Sequence, residues 1–167
     1  MSGQLTAFVY GTLMDPRVFF RVVQGNSDPP EVIRNLYTFT PAILHGYCRH
    51  RVRTADYPGI IPEEGRSVRG IYVTGLTDAN IDKLDSFEGD EYERRTVKVK
   101  LLEQVGDDDA EGESLVEGEE KTADTYVFIY PDQIERGEWD FEHFRRERLR
   151  YWAREEFSFD DAVDEAV

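Results

Sequence analysis

The stretch DSFEGDEYERR, residues 85–95, crowds five carboxylates, Asp85, Glu88, Asp90, Glu91 and Glu93, into nine positions and follows them with Arg94 and Arg95. It falls at the end of a predicted helix, where the backbone carbonyls present a negative pole and a further carboxylate is electrostatically disfavoured. Ile81, Leu84 and Phe87 mark the inward face of that helix at spacings of three, which sets Glu88 beside Phe87 at the edge of the core. Like charge nearby and partial burial both push a carboxyl pKa upward, toward the range useful for proton transfer. Four of the five carboxylates read as a solvated acidic turn. Only one need be special.

A second candidate is YGTL, Tyr10, Gly11, Thr12 and Leu13, at a strand end just before a helix. A glycine there lets the backbone turn tightly, and successive free N–H groups form a cradle that favours an anion. The same pattern also suits a plain strand-to-helix turn. Other chemistries find little support. His45, His50 and His143 are scattered without a second ligand at a repeating spacing and the lone Cys48 has no second cysteine, so no metal is expected. No serine occupies a Gly-x-Ser-x-Gly elbow.

The elements that must position these residues follow from pattern and punctuation. TAFVYG, residues 6–11, reads as a short strand. In MDPRVFFRVVQG, Asp15 sits at the N-cap, Pro16 at the first helical position and Gly25 past the end, with Val18, Phe19, Val22 and Val23 on one side. TPAILHGYCRHRV predicts an extended strand with a glycine bend, and YPGIIPEEG, residues 57–65, a loop punctuated by proline and glycine. RSVRGIYVTGL resumes the strand pattern at Val68, Ile71 and Val73. Thr77 caps the helix that ends at Gly89. YERRTVKVKLLE alternates at Val97, Val99 and Leu101, and TADTYVFIYPD is apolar enough at Val127 to Ile129 for a central strand. Residues 138–157 predict an amphipathic helix with Phe141, Phe144, Leu149 and Trp152 inward. Strands predominate and most lack a crossover helix. The expected fold is α+β, a sheet that curls or closes into a small mixed β-barrel with helices packed outside.

The chain has 167 residues, the size of one domain. Its net charge of −15 is concentrated: residues 106–120 hold eight acids and residues 155–167 six, with no Lys or Arg in either segment. The remainder carries 21 acids against 20 bases. The two acidic segments therefore read as an insertion at about residues 104–121, forming a long hairpin loop, and a C-terminal tail at 155–167, leaving a domain over 1–154. No basic stripe offsets phosphate repulsion, which argues against nucleic acid as a ligand. No apolar run approaches the roughly 20 residues that cross a bilayer, no secretion signal is evident, and one cysteine fits a reducing setting. A soluble, cytoplasmic protein is expected.

FVYGTLMDP, YPGIIP, VRGIYVTGLTD, LDSFEGDEYERRTVKV and GEWDFE, in this order and at about this spacing, resemble the γ-glutamylcyclotransferase-like family, in the branch of the plant avirulence-induced-gene proteins. The resemblance runs from about Phe8 to Glu142. It implies a small β-barrel with a cavity at one end, a single catalytic glutamate corresponding to Glu88, and a substrate-holding loop corresponding to Tyr10, Gly11, Thr12 and Leu13. It also implies a small-molecule γ-glutamyl substrate and the cyclisation of its glutamyl half to 5-oxoproline, with no cofactor. Tyr92 and Tyr130 are expected as further cavity-wall residues, Arg95 as a partner of neighbouring acids, and the N-terminus of the Pro16 helix as a favourable neighbour for a substrate anion. The same cavity holding a γ-glutamyl ligand without turnover is the alternative reading. An adaptor whose acidic loop recruits a basic protein is a third.

Overall fold

The computed structural model describes residues 3–53, 57–104 and 115–135. Six strands and three α-helices run β1 (Leu5–Val9), α1 (Pro16–Gln24), α2 (Glu31–Arg34), β2 (Thr38–Val52), β3 (Pro58–Leu76), α3 (Asp78–Glu88), β4 (Tyr92–Gln104), β5 (Leu115–Phe128) and β6 (Ile134–Glu135). Among the described residues no helix is long and apolar enough to cross a membrane.

The strands close into a ring. β1 pairs antiparallel with β3, β3 with β2, β2 with β4 and β4 with β5, and β5 returns to β1 in parallel at Ala7 and Asp124. The expected small barrel is what forms. β1 explains its own unbroken apolar run, because both of its faces are covered. Phe8 points into the barrel with Leu44, Ile60, Val68, Val99 and Val127. Ala7 and Val9 point outward, into a second cluster built by Val18, Phe19, Val22 and Val23 of α1 and Ile81 and Leu84 of α3. The two helices thus cover one outer face of the barrel, and this layer holds the end of α3 against the end of β1.

Both helices begin and end where their capping residues predict. The Asp15 side chain accepts from the Arg17 N–H, Pro16 opens α1, and Gly25 closes it in the left-handed region at φ 71°. Thr77 and Asn80 form a reciprocal capping box on α3, and Gly89 follows its last residue at φ 78°.

Three expectations need correction. Residues 58–65 form no loop but the first part of β3, paired to β2 from Pro58 opposite Arg51 to Pro62 opposite Tyr47. The prolines are tolerated because they lie four apart, so the donors they lack fall on one edge of the strand, the edge from which Ile60 hydrogen-bonds the Tyr10 hydroxyl. The acidic insertion is also shorter than read. Residues 115–121 belong to β5 and pair with β4, from Leu115 opposite Gln104 to Lys121 opposite Val99. Cross-strand pairing supplies the order that composition alone does not. Finally, the register of β4 shifts between Lys100 and Leu102, so Leu102 is buried and Leu101 half-buried, and Ile129, just past β5, is exposed. The predicted helix at 138–157 and the tail at 155–167 lie outside the described residues.

Candidate active site

The end of β1, the turn after it and the end of α3 meet around a cavity of about 220 Å³. Tyr10, Gly11, Thr12 and Leu13 form one wall and Glu88, Gly89 and Tyr92 another, with Tyr57, Pro58 and Tyr126 completing it. Of the candidates named from sequence, only Tyr130 is not brought there. It lies beyond the end of β5, 42% exposed, with its ring against Phe128. Tyr126, four residues earlier and still in the strand, lines the cavity instead.

Gly11 is at a close approach. A Cβ there would lie 2.7 Å from Cγ of Pro58, so only glycine lets the turn and the start of β3 come together. Beyond Gly11 the chain makes one tight turn, Thr12–Met14, whose Met14 and Asp15 N–H groups bond back to Gly11 and Thr12 carbonyls. The loop is pinned from behind, where Arg49 Nη1 donates to the Tyr10 carbonyl at 2.8 Å. The N-terminus of α1 is less available than expected, since the buried Asp15 carboxylate already occupies it. An anion would have to rely on the turn rather than on the helix.

The carboxylates of the acidic stretch are separated by what they touch. Asp85 accepts from Tyr126 Oη and from Arg94 Nη1, each at 2.7 Å. Glu91 accepts from Tyr57 Oη at 3.0 Å, and Glu93 pairs with Arg95 at 2.7 Å on the surface, as Arg95 was expected to do with a neighbouring acid. Asp90 is exposed. Glu88 lines the cavity with no hydrogen-bond donor or cation against it among the described residues, and unlike Asp90 at the same cavity it is not exposed. Burial pushes its carboxyl from the ordinary 4.5 up to about 8. Desolvation is the cause, not the crowd of like charges that the sequence suggests.

Four tyrosines surround this carboxyl, and each hydroxyl is committed as a donor elsewhere. Tyr10 donates to the Tyr126 carbonyl at 2.6 Å, Tyr92 to the Pro58 carbonyl at 2.7 Å, Tyr57 to Glu91 and Tyr126 to Asp85. Burial, and secondly the nearby Glu88 charge, raise the Tyr10 hydroxyl; burial followed by the Glu91 carboxylate raises Tyr57. Tyr92 and Tyr126 are also raised, burial being the largest cause in both. These phenols stay neutral, with their protons spent on protein acceptors. Such a lining favours a donor-rich cation beside Glu88 and offers nothing to a second anion there.

Sequence reasoning missed Tyr57 and Tyr126. Tyr57 opens the YPGIIP run misread as loop, and Tyr126 is identifiable only from its register opposite Arg94. Elsewhere, the Cys48, His50 and Glu63 side chains converge on β2 and β3 with ligand-type atoms within 4.8 Å of one another, a proximity that spacing in the sequence does not reveal. His45 pairs instead with Glu117 at 2.8 Å, and His143 is outside the described residues.

A ring-closed five-stranded barrel with a cavity at the β1–α3 end defines the class of protein. Residues 7–141 match the family model described as gamma-glutamyl cyclotransferase, AIG2-like, and the chain belongs to this family. It is 32% identical over 139 residues to Protein AIG2 C of Arabidopsis thaliana, covering 83% of this chain and 70% of the relative. Protein AIG2 B of the same plant is 34% identical over 140 residues, 83% of this chain and 69% of the relative. Among solved structures, a solution structure of an Arabidopsis thaliana protein aligns at TM-score 0.59 and 30% identity, covering 90% of this chain and 79% of its own. A structure titled gamma-glutamyl cyclotransferase aligns at TM-score 0.53 and 18% identity, over 78% of this chain and 68% of its own, a likeness of fold.

Proposed function

We propose that this protein is a γ-glutamylcyclotransferase that closes the glutamyl half of a γ-glutamyl amide into 5-oxoproline and releases the amine, with Glu88 as the general acid and base. The observation that carries the reading is a single carboxyl, unpaired and raised to about 8, inside a cavity of neutral phenols. Family membership supports it.

The reaction needs little beyond this. The substrate's α-amino nitrogen attacks its own γ-carbonyl carbon, a carbon–nitrogen bond forms to close a five-membered lactam, and the bond to the departing amine breaks. Nucleophile and electrophile belong to one molecule, so the protein's first task is to hold them roughly 3–3.5 Å apart. The α-amine arrives as an ammonium, and the departing amine leaves poorly unless protonated. Glu88 as carboxylate accepts a proton from the first nitrogen and returns it to the second. A carboxyl with a raised pKa holds that proton between the steps more firmly than an ordinary one. The phenol oxygen of Tyr92 accepts from the bound ammonium. Backbone N–H groups of Gly11 to Leu13 bind the α-carboxylate or polarise the γ-carbonyl.

Incubation of the protein and its Glu88→Gln variant with a panel of γ-glutamyl peptides, γ-glutamyl amino acids and γ-glutamylamines, followed by mass spectrometry of 5-oxoproline, tests the proposal. Product from the unsubstituted protein alone supports it and names the leaving group. Equal product from both removes Glu88 from the mechanism. Ligand-induced thermal shifts without product favour a binding module on the same fold.

A further inference from the structure

We infer that Cys48, His50 and Glu63 form a site for a divalent transition metal of the zinc class, on the outer face of the β2–β3 pair. The site is independent of the cyclotransferase reading.

The topology brings the three ligands together. Cys48 and His50 are two apart on β2, so their side chains leave the same face of the strand. Opposite them on β3 run Ile61 and Gly59. After Pro62 the pairing breaks: Tyr47 faces Pro62 and His45 faces Ser67, so residues 63–66 stand opposite Gly46 alone. Gly46, at φ 87°, and Gly65, at φ 82°, make the bends on either strand. Glu63 is the first residue of this bulge, set diagonally to Cys48 and free of ladder constraint to turn its carboxylate toward the two β2 side chains.

The geometry accommodates a metal ion. All three ligand atoms lie within 4.8 Å of one another, and His50 Nε2 is 3.5 Å from Glu63 Oε1. Bonds of about 2.0–2.2 Å to nitrogen and oxygen at tetrahedral angles give an edge of about 3.4 Å, and a bond of about 2.3 Å to sulfur one of about 3.6 Å. The nitrogen–oxygen edge is already at that length, and the thiol lies within 4.8 Å of both. His50 is largely enclosed, its side chain 14% exposed, and its Nδ1 is buried without a hydrogen-bond partner. Glu63 divides its oxygens, with Oε2 taking Arg66 Nε at 3.0 Å while Oε1 faces the imidazole. An outer partner that fixes a ligating carboxylate in this way is a usual feature of metal sites. One sulfur, one imidazole and one carboxylate suit zinc, with water completing four ligands.

A metal here ties β2 to β3 just beyond the bulge. Gly59, opposite His50, is the neighbour of Pro58 in the cavity wall. The site would act as a clamp on that wall and not as a centre of the reaction. Binding removes the Cys48 proton, so affinity rises with pH.

Titration of the metal-stripped full-length protein with Co²⁺ and then Zn²⁺ tests the inference. One equivalent should bind, a thiolate-to-cobalt absorption should appear in the near ultraviolet and be erased by Zn²⁺, and excess Zn²⁺ should raise Tm. Cys48→Ser should abolish the absorption and weaken Zn²⁺ binding by roughly 10-fold or more. Glu63→Gln, at a partly exposed position that does not disturb the fold, should weaken it by roughly 10–100-fold, the range in which ligand-sphere changes act. Absence of the cobalt–thiolate band, or Zn²⁺ binding that is unchanged in Glu63→Gln, would overturn the site and assign any binding to the acidic segments.

Discussion

Asp85 and Glu88 lie one turn apart in α3, and the two sides of the helix end treat them oppositely. Asp85 faces a shallow outer depression beside Tyr92, Arg94 and Tyr126, where an arginine and a phenol neutralise and hold it. Glu88 turns into the cavity, where nothing among the described residues neutralises it and burial raises its pKa. The same functional group at nearly the same place along the chain is held by partners in Asp85 and left without them in Glu88, the proposed general acid and base. The difference teaches that the crowd of acids does not itself raise a carboxyl pKa; burial without a partner does.

The comparison breaks first at activity. Glu88→Gln keeps the shape of the side chain and should lower turnover by roughly 10²–10⁴-fold, while Asp85→Asn should leave it within about 10-fold. Their effects on stability should run the other way. Asp85→Ala strips the acceptor from Tyr126 and Arg94 and should cost about 1–3 kcal/mol in chemical denaturation, whereas Glu88→Gln should cost little near neutral pH.

Titration sharpens the same contrast. The native pKa of Glu88 lies above its unfolded value, so the native state binds more protons between about pH 4.5 and pH 8. Stability associated with this group is complete below the unfolded pKa and lost as pH rises through the folded one. Denaturation at pH 5 and pH 9 should show the unsubstituted protein losing up to about 4 kcal/mol more than Glu88→Gln. In the rate profile, kcat/KM should fall on the acid side with a midpoint near 8, where the free protein's base becomes protonated. The corresponding limb of kcat should lie lower, because a bound ammonium favours the carboxylate.

The opposite wall gives a smaller expected effect. Gly11→Ala places a methyl 2.7 Å from Pro58 and must part the turn from β3. About 1–3 kcal/mol of stability should be lost, with a rise in KM larger than the fall in kcat, since in the proposed mechanism the turn holds substrate and not the proton. Smallest of all, Glu93→Gln removes one exposed pair with Arg95 and should change stability by less than about 1 kcal/mol and activity not measurably.

What the sequence made legible was local. Asp15, Pro16 and Gly25 bound α1, Thr77 and Gly89 bound α3, and the placement of Glu88 followed from counting residues after Leu84. The failures were all matters of pairing. Proline and glycine at 57–65 look like loop until β2 supplies hydrogen bonds on the one edge they leave intact, and the acids of 115–121 look unfoldable until β4 lies beside them. The same blindness explains the site residues. Tyr130 and Tyr126 are equivalent in a linear reading, and only the end of β5 at Phe128 and its register with β4 put one of them in the cavity. Cys48, His50 and Glu63 are separated by a strand reversal and a bulge, so no spacing rule connects them.

The most direct test of the account is the titration of the Glu88 carboxyl itself, followed by the chemical shift of its labelled side-chain carbon and assigned by its loss in Glu88→Gln. The account predicts a midpoint near 8 in the free protein, moving to lower pH when a γ-glutamyl compound binds. A midpoint near the ordinary 4.5, unmoved by ligand, would contradict it.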